Sequence, residues 1–123
     1  MGRLRVDRLN SSPRPLTAGG RTVVARCHRT VSARARLVGL LATPDLSPDE
    51  ALWIAPCASV HAAFLRTSIG CAFVDAGGRV LRVVDPLPRW RAAGSRGARG
   101  VVECAAGVLG SAGVRPGDVL RLG

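Results

Sequence analysis

The 123-residue sequence has no lysine, no tyrosine, two Phe, two Trp and two His. So few rings leave no repeated aromatic platform of the kind on which single-stranded nucleic acid is stacked. No apolar run approaches the roughly 20 residues of a membrane-spanning helix. The opening stretch, with its Arg, Pro and Ser, has no apolar centre resembling a secretory leader. The expected setting is the cytoplasm, where thiols stay reduced. The four cysteines (Cys27, Cys57, Cys71 and Cys104) then read as free thiols or small core residues rather than as a disulfide framework.

Acidic residues are also scarce: 8 Asp and Glu stand against 18 basic residues, all of them Arg, for a net charge of +10. Lysine is missing everywhere, which no single site chemistry would require, so its absence reads as codon bias. Half of the arginines lie within the first 36 residues. Such a concentration can hold nucleic acid, anionic lipid or an acidic partner, or it can be a solvated tail. The hydrophobic fraction of 47% excludes a disordered chain. The length suits one domain, which at this size removes roughly two-thirds of its unfolded surface from water.

Local patterns divide the chain into a basic, flexible lead-in over residues 1–20 and a globular β-rich domain over 21–123. Thr22–Cys27 has the β-branched density of a strand, and Ser32–Ala42 places Leu37, Val38 and Leu41 at helical spacing, stopped by Thr43-Pro44. Ser47-Pro48-Asp49-Glu50 has the form of a helical N-terminus with a capping-box Glu. Ala51–Ala55, ended by Pro56, is a short continuous apolar run that fits a strand buried on both faces. Val60–Ile69 and Cys71–Val74 read as extended. Asp75-Ala76-Gly77-Gly78 then supplies a hairpin turn into Arg79–Val84. Residues 86–100, rich in Pro, Gly and Arg, read as a long surface loop. Val101–Cys104 resumes as a strand, Ala105–Ala112 predicts about two helical turns stopped by Gly113, and Pro116-Gly117 turns into a last strand over Asp118–Leu122. The predicted fold class is α+β, mostly β: a compact β-barrel or sandwich with two or three short helices.

In this order, several segments carry a resemblance. Arg36-Leu37-Val38-Gly39-Leu40-Leu41, Leu52-Trp53-Ile54 and the run from Cys57 through Ser59, Val60 and His61 to Arg66 recur in sequence. So do Ala72-Phe73-Val74-Asp75 with Gly78-Arg79-Val80-Leu81, and Val102-Glu103, Ala106-Gly107 and Gly117-Asp118. Together, over residues 22 to 122, they resemble the bacterial family known as domain of unknown function 192. The resemblance implies a β-sandwich-like fold, a bacterial source and no established activity. Where the family has Met and then Pro-Ile/Leu-Asp, this chain has Leu65 and Ser68-Ile69-Gly70. Leu for Met conserves volume. A role played by an acidic side chain at position 70 in relatives cannot be played by Gly70.

Several constellations carry candidate chemistry. Cys27-His28 with Cys57 and His61 offers two thiols and two imidazoles for zinc, but the spacing is that of neither a finger nor a ribbon, so no metal or other cofactor is predicted. Cys57 and His61 could form a thiolate–imidazole pair for a hydrolase or transferase, although four residues of extended chain set them more than about 12 Å apart. A small-ligand pocket fits the same stretch better, with His61, Arg66 and Asp75 at its mouth, Trp53 and Phe64 beneath, and Cys57 nearby. Arg66 and Asp75 could equally close a surface ion pair of small consequence. Gly107, Gly110 and Gly113 match no phosphate-loop motif and read as helix packing and capping. Arg89-Trp90-Arg91 is the anion-binding candidate, because an indole between guanidiniums can stack a ring. The functional reading is a non-enzymatic accessory module that binds a small ligand or a protein partner. The alternatives are the Cys57/His61 enzyme and attachment of nucleic acid or an acidic partner to the Arg-rich surface.

Overall fold

The computed structural model describes residues 12–30, 46–61, 68–88 and 91–123, with Thr30 and His61 described by their backbone alone. Among them the elements are β1 (Arg14–Ala18), β2 (Arg21–Thr30), β3 (Glu50–Ile54), β4 (Ser59–His61), β5 (Ile69–Val74), β6 (Val80–Leu87), β7 (Ala92–Gly94), β8 (Gly100–Ala105), α1 (Val108–Ser111) and β9 (Leu120–Leu122). Seven strands form one sheet in the order β6-β5-β8-β3-β2-β1-β9, and β4 pairs with β7 in a separate ribbon. Within the sheet β2 and β3 run parallel, and the other neighbours are antiparallel.

Strand β3 is the middle strand, and all five of its residues are buried. A strand covered on both faces needs apolar side chains pointing both ways, which is why Ala51–Ile54 is continuously apolar rather than alternating. One face carries Leu52, Ile54, Ile69, Cys71, Phe73 and Val101 under the β4–β7 ribbon, where Val60 and Ala93 pack. The other carries Ala51, Trp53, Ala72, Val74, Val102 and Cys104 beneath Leu109 of α1. The hairpin read from Asp75–Gly78 is present between β5 and β6, with Asp75 N–H donating to Arg79 O and Gly78 N–H to Asp75 O.

Several boundaries differ from the sequence reading. Arg14–Ala18, placed there in the lead-in, is strand β1, with Leu16 and Ala18 wholly buried between β2 and β9. Pro15 lacks a ladder N–H, and the β1–β2 register shifts between Arg14 and Leu16, so a bulge accommodates the proline that read as a break. Glu50, read as a capping residue, is the buried first residue of β3; its N–H closes a turn onto Ser47 O. The stretch 86–100 is less of a loop than expected, because β6 continues to Leu87 and β7 occupies Ala92–Gly94. Helix α1 spans one turn instead of two, since Gly107 at its start is left-handed (φ 90°). The expected helix over Ser32–Ala42 lies outside the described residues. The sheet is not closed into a barrel: β6 and β9 form no ladder, and the chain just before each is joined by an isolated bridge between Arg79 and Val119. In place of the expected barrel there is an open sheet, with one short helix among the described residues.

Candidate functional site

In the parallel β2–β3 register Arg29 lies opposite Trp53. Paired residues share a face, so the Arg29 guanidinium comes to lie over the indole, 5.6 Å from the ring centroid. Trp53 is only 7% exposed, seated between two glycines. A Cβ on Gly100 would come within 3.0 Å of indole Nε1, and one on Gly78 within 3.4 Å of Cη2 and 2.5 Å of Leu120 O. Gly78 also has φ of +87°, which side-chain-bearing residues rarely adopt. The sequence thus supplies glycine where the indole and the neighbouring backbone need the room.

The hairpin turn forms one wall above this indole. Asp75 Oδ1 accepts 2.9 Å hydrogen bonds from the N–H groups of Gly77 and Arg79 and so fixes the turn's shape. Arg99, tied by its N–H to Val74 O at 2.8 Å, stands on a second side, and Leu120, Arg121 and Leu122 of β9 on a third. The result is an open cleft of about 620 Å³ whose charged lining residues are Arg29, Arg99, Arg121 and Asp75. Its floor is apolar, from Trp53, Ala55, Pro56 and Leu122.

Of the residues expected around a pocket, Asp75 and Trp53 come together here. Phe64, Arg66 and the His61 side chain lie outside the described residues. Cys57 packs against the cluster on the other face of the sheet, and its thiol donates to Ser59 O at 3.1 Å. Of the Arg89-Trp90-Arg91 motif only Arg91 is described; it is exposed, and its N–H bonds Pro88 O at 3.2 Å. Sequence reasoning missed Arg29, Arg99 and Arg121 as a set, having counted Arg29 only among the arginines of the first 36 residues and placed Arg99 in the basic loop over 86–100. Their convergence depends on the parallel β2–β3 pairing and on β9 returning beside β1, and no local pattern encodes either.

A second polar set lies within the sheet. His28, Glu50 and Glu103 are wholly buried, and Glu50 Oε2 is 3.7 Å from Arg26 Nη1 and 3.9 Å from His28 Nε2. Leu52 pairs with both His28 and Glu103, so this set lies on the Leu52–Phe73 face. Its complete burial keeps it out of a substrate's reach. Cys27, next to His28 on β2, belongs to the opposite face with Trp53, whereas Cys57 packs on the Leu52 side, so the two cysteines weighed as zinc ligands lie on opposite faces of the sheet. Burial pushes the Cys27 thiol up to about 12, with the Arg29 guanidinium pulling the other way. Burial also raises Cys104, reinforced by the anionic forms of its neighbours Cys27, Asp85, Cys71 and Glu103. Both are protonated and inert at neutral pH.

Gly70, where an acidic side chain was expected from the resemblance, lies under a carboxylate nevertheless. A Cβ at Gly70 would fall 2.8 Å from Asp85 Oδ1. The Asp85 carboxylate accepts hydrogen bonds from Gly107 N–H (2.7 Å) and Gly110 N–H (2.9 Å), anchoring the turn and first residues of α1.

Fold and site together define a small, open-sheet β domain with a solvent-facing cationic cleft. The chain belongs to the DUF192 family, described as uncharacterized ACR, whose model matches residues 15–122. No curated protein matches it. Its fold is shared by the crystal structure of a "putative transcription regulator" from Sinorhizobium meliloti 1021, with TM-score 0.76, 21% identity, and 93% of this chain and 95% of that one covered. It is shared equally by a protein of unknown function from Novosphingobium aromaticivorans DSM 12444, with TM-score 0.75, 17% identity, and 98% and 99% covered. No helix among the described residues is long and apolar enough to cross a membrane.

Proposed function

We propose that this chain is a non-enzymatic binding module of the bacterial cytoplasm that takes a small anionic ligand into the cleft above Trp53. One observation carries the reading: three arginines from separate parts of the chain, Arg29, Arg99 and Arg121, line one concavity, with Asp75 the one acidic residue among the described residues lining it. That carboxylate, Asp75, already accepts two turn N–H groups. Guanidiniums present forked donors that match phosphate and carboxylate oxygens.

The test is calorimetric titration with sodium pyrophosphate, comparing the unaltered chain with Arg99→Ala/Arg121→Ala. Hydrogen bonds to charged groups are worth about 1.5–3 kcal/mol each, so the double substitution weakens binding at least about tenfold, and added salt weakens binding to the unaltered chain. Equal affinity for the two proteins would sink the reading. Attachment of nucleic acid is the second reading, supported by the net charge of +10 and by the description of the Sinorhizobium neighbour. The concave shape of the site favours a small ligand.

A further inference from the structure

Building on that anion-cleft reading, we infer that the ligand is a flat aromatic molecule carrying one anionic group, of the nucleoside monophosphate class, rather than a bare inorganic anion. Size is the first argument. The cleft's 620 Å³ falls within the roughly 300–1,000 Å³ of pockets that enclose whole organic ligands. A lone phosphate would leave the apolar floor, chiefly Ala55, Pro56 and Leu122 with the small exposed part of Trp53, facing water. Only a ligand with an apolar body covers that floor while reaching the rim.

The arrangement of charge is the second. The Arg29 guanidinium is backed by the Trp53 indole at 5.6 Å and is exposed to solvent, so a ring laid on its outer face extends an existing stack. Arg99 and Arg121 come from other elements and are left to grip the anionic group. Asp75 sets the limit. Its carboxylate is pinned at the rim by the N–H groups of Gly77 and Arg79, where it accepts from an amino group on the ligand and repels a second phosphate.

The experiment uses the full chain carrying Trp90→Phe, so that Trp53 is the sole tryptophan emitter of the two present. Emission is followed while AMP, ADP, ribose 5-phosphate, adenosine, sodium pyrophosphate and an eight-nucleotide oligo-dT are titrated in separate runs. AMP is expected to change the emission and to bind at least about tenfold more tightly than ribose 5-phosphate or adenosine, the equivalent of one ring stack. Arg29→Ala is expected to abolish that advantage, so that AMP binds no more tightly than ribose 5-phosphate to the variant. Equal binding of AMP and ribose 5-phosphate overturns the aromatic assignment and leaves the anion cleft standing. Binding of none of the phosphate compounds overturns both. ADP binding more tightly than AMP overturns the single-anion assignment, and adenosine binding as tightly as AMP overturns the anionic one. Tighter binding of the oligonucleotide than of AMP reassigns the ligand to single-stranded nucleic acid.

Discussion

At the scale of single residues, Gly70 shows how a substitution read from sequence changes meaning in space. A glycine at an expected acidic position reads as a lost carboxylate. The register shift between Ile69 and Cys71 lets Asp85 of the adjacent strand occupy that space instead, and such a shift leaves no mark in a linear pattern. The two positions are therefore coupled. Gly70→Asp brings a Cβ against Asp85 and a second negative charge beside it, and should cost about 1–3 kcal/mol of stability. Asp85→Ala strips the Gly107 and Gly110 amides of their acceptor and should cost about 1.5–3 kcal/mol. In the double variant Gly70→Asp/Asp85→Ala the clash and the repulsion vanish, and the new carboxylate lies over the same amides. Urea denaturation of all four proteins should give a double-variant loss at least about 1 kcal/mol smaller than the sum of the singles; strict additivity would show that the two sites are independent.

At the scale of elements, legibility followed locality. The β5–β6 hairpin, the buried β3 and the β8 strand were readable because turn chemistry and apolar runs are written in adjacent residues. Strand β1 was not, because Pro15 signals a break unless the bulge opposite it is known. Glu50 was misread for a related reason: a capping pattern and a strand start look alike until the partner strand is in place. The hairpin turn itself offers a paired prediction. Gly78→Ala forces a side chain into φ +87° and sets Cβ 2.5 Å from Leu120 O, across the contact where Leu120 N–H reaches Gly78 O at 2.9 Å. A strained backbone conformation alone costs about 1–3 kcal/mol, so a drop in melting temperature of several degrees is expected. Gly77→Ala, whose Cβ meets only Asp75 Oδ1 at an ordinary 3.5 Å, should stay within about 0.5 kcal/mol of the parent. Similar melting curves for the two variants would refute the role given to Gly78.

At the scale of the whole molecule, the mostly β class was legible in composition and turn spacing, while the open topology and the cleft were not. Arg29 and Arg121 are brought onto one rim by a sheet order that no short window reveals. Buried thiols give the domain an alkaline limit. Cys27 titrates near 9.0 when unfolded and at about 12 in the folded chain, so the folded state holds its proton more firmly. The associated stability is fully present below pH 9 and is lost as pH rises from there through about 12. Urea midpoints taken at pH 8, 9.5 and 10.5 should fall across the series, and Cys27→Ala should flatten part of that fall, with the buried Cys104 accounting for a further part. An unchanged alkaline slope in Cys27→Ala would remove Cys27 from the account.

The cleft draws Arg29 from β2 and Arg121 from β9, so its walls are made at opposite ends of the described sequence. On the ribosome, Trp53 and the hairpin emerge long before β9 can close beside them, and until Leu122 is free there is no third wall. The cleft therefore takes shape only in chains made as far as Leu122. Because a ligand that binds only the native state stabilises it by mass action, a ligand of this cleft would support chains that include β9 and leave shorter ones without that support.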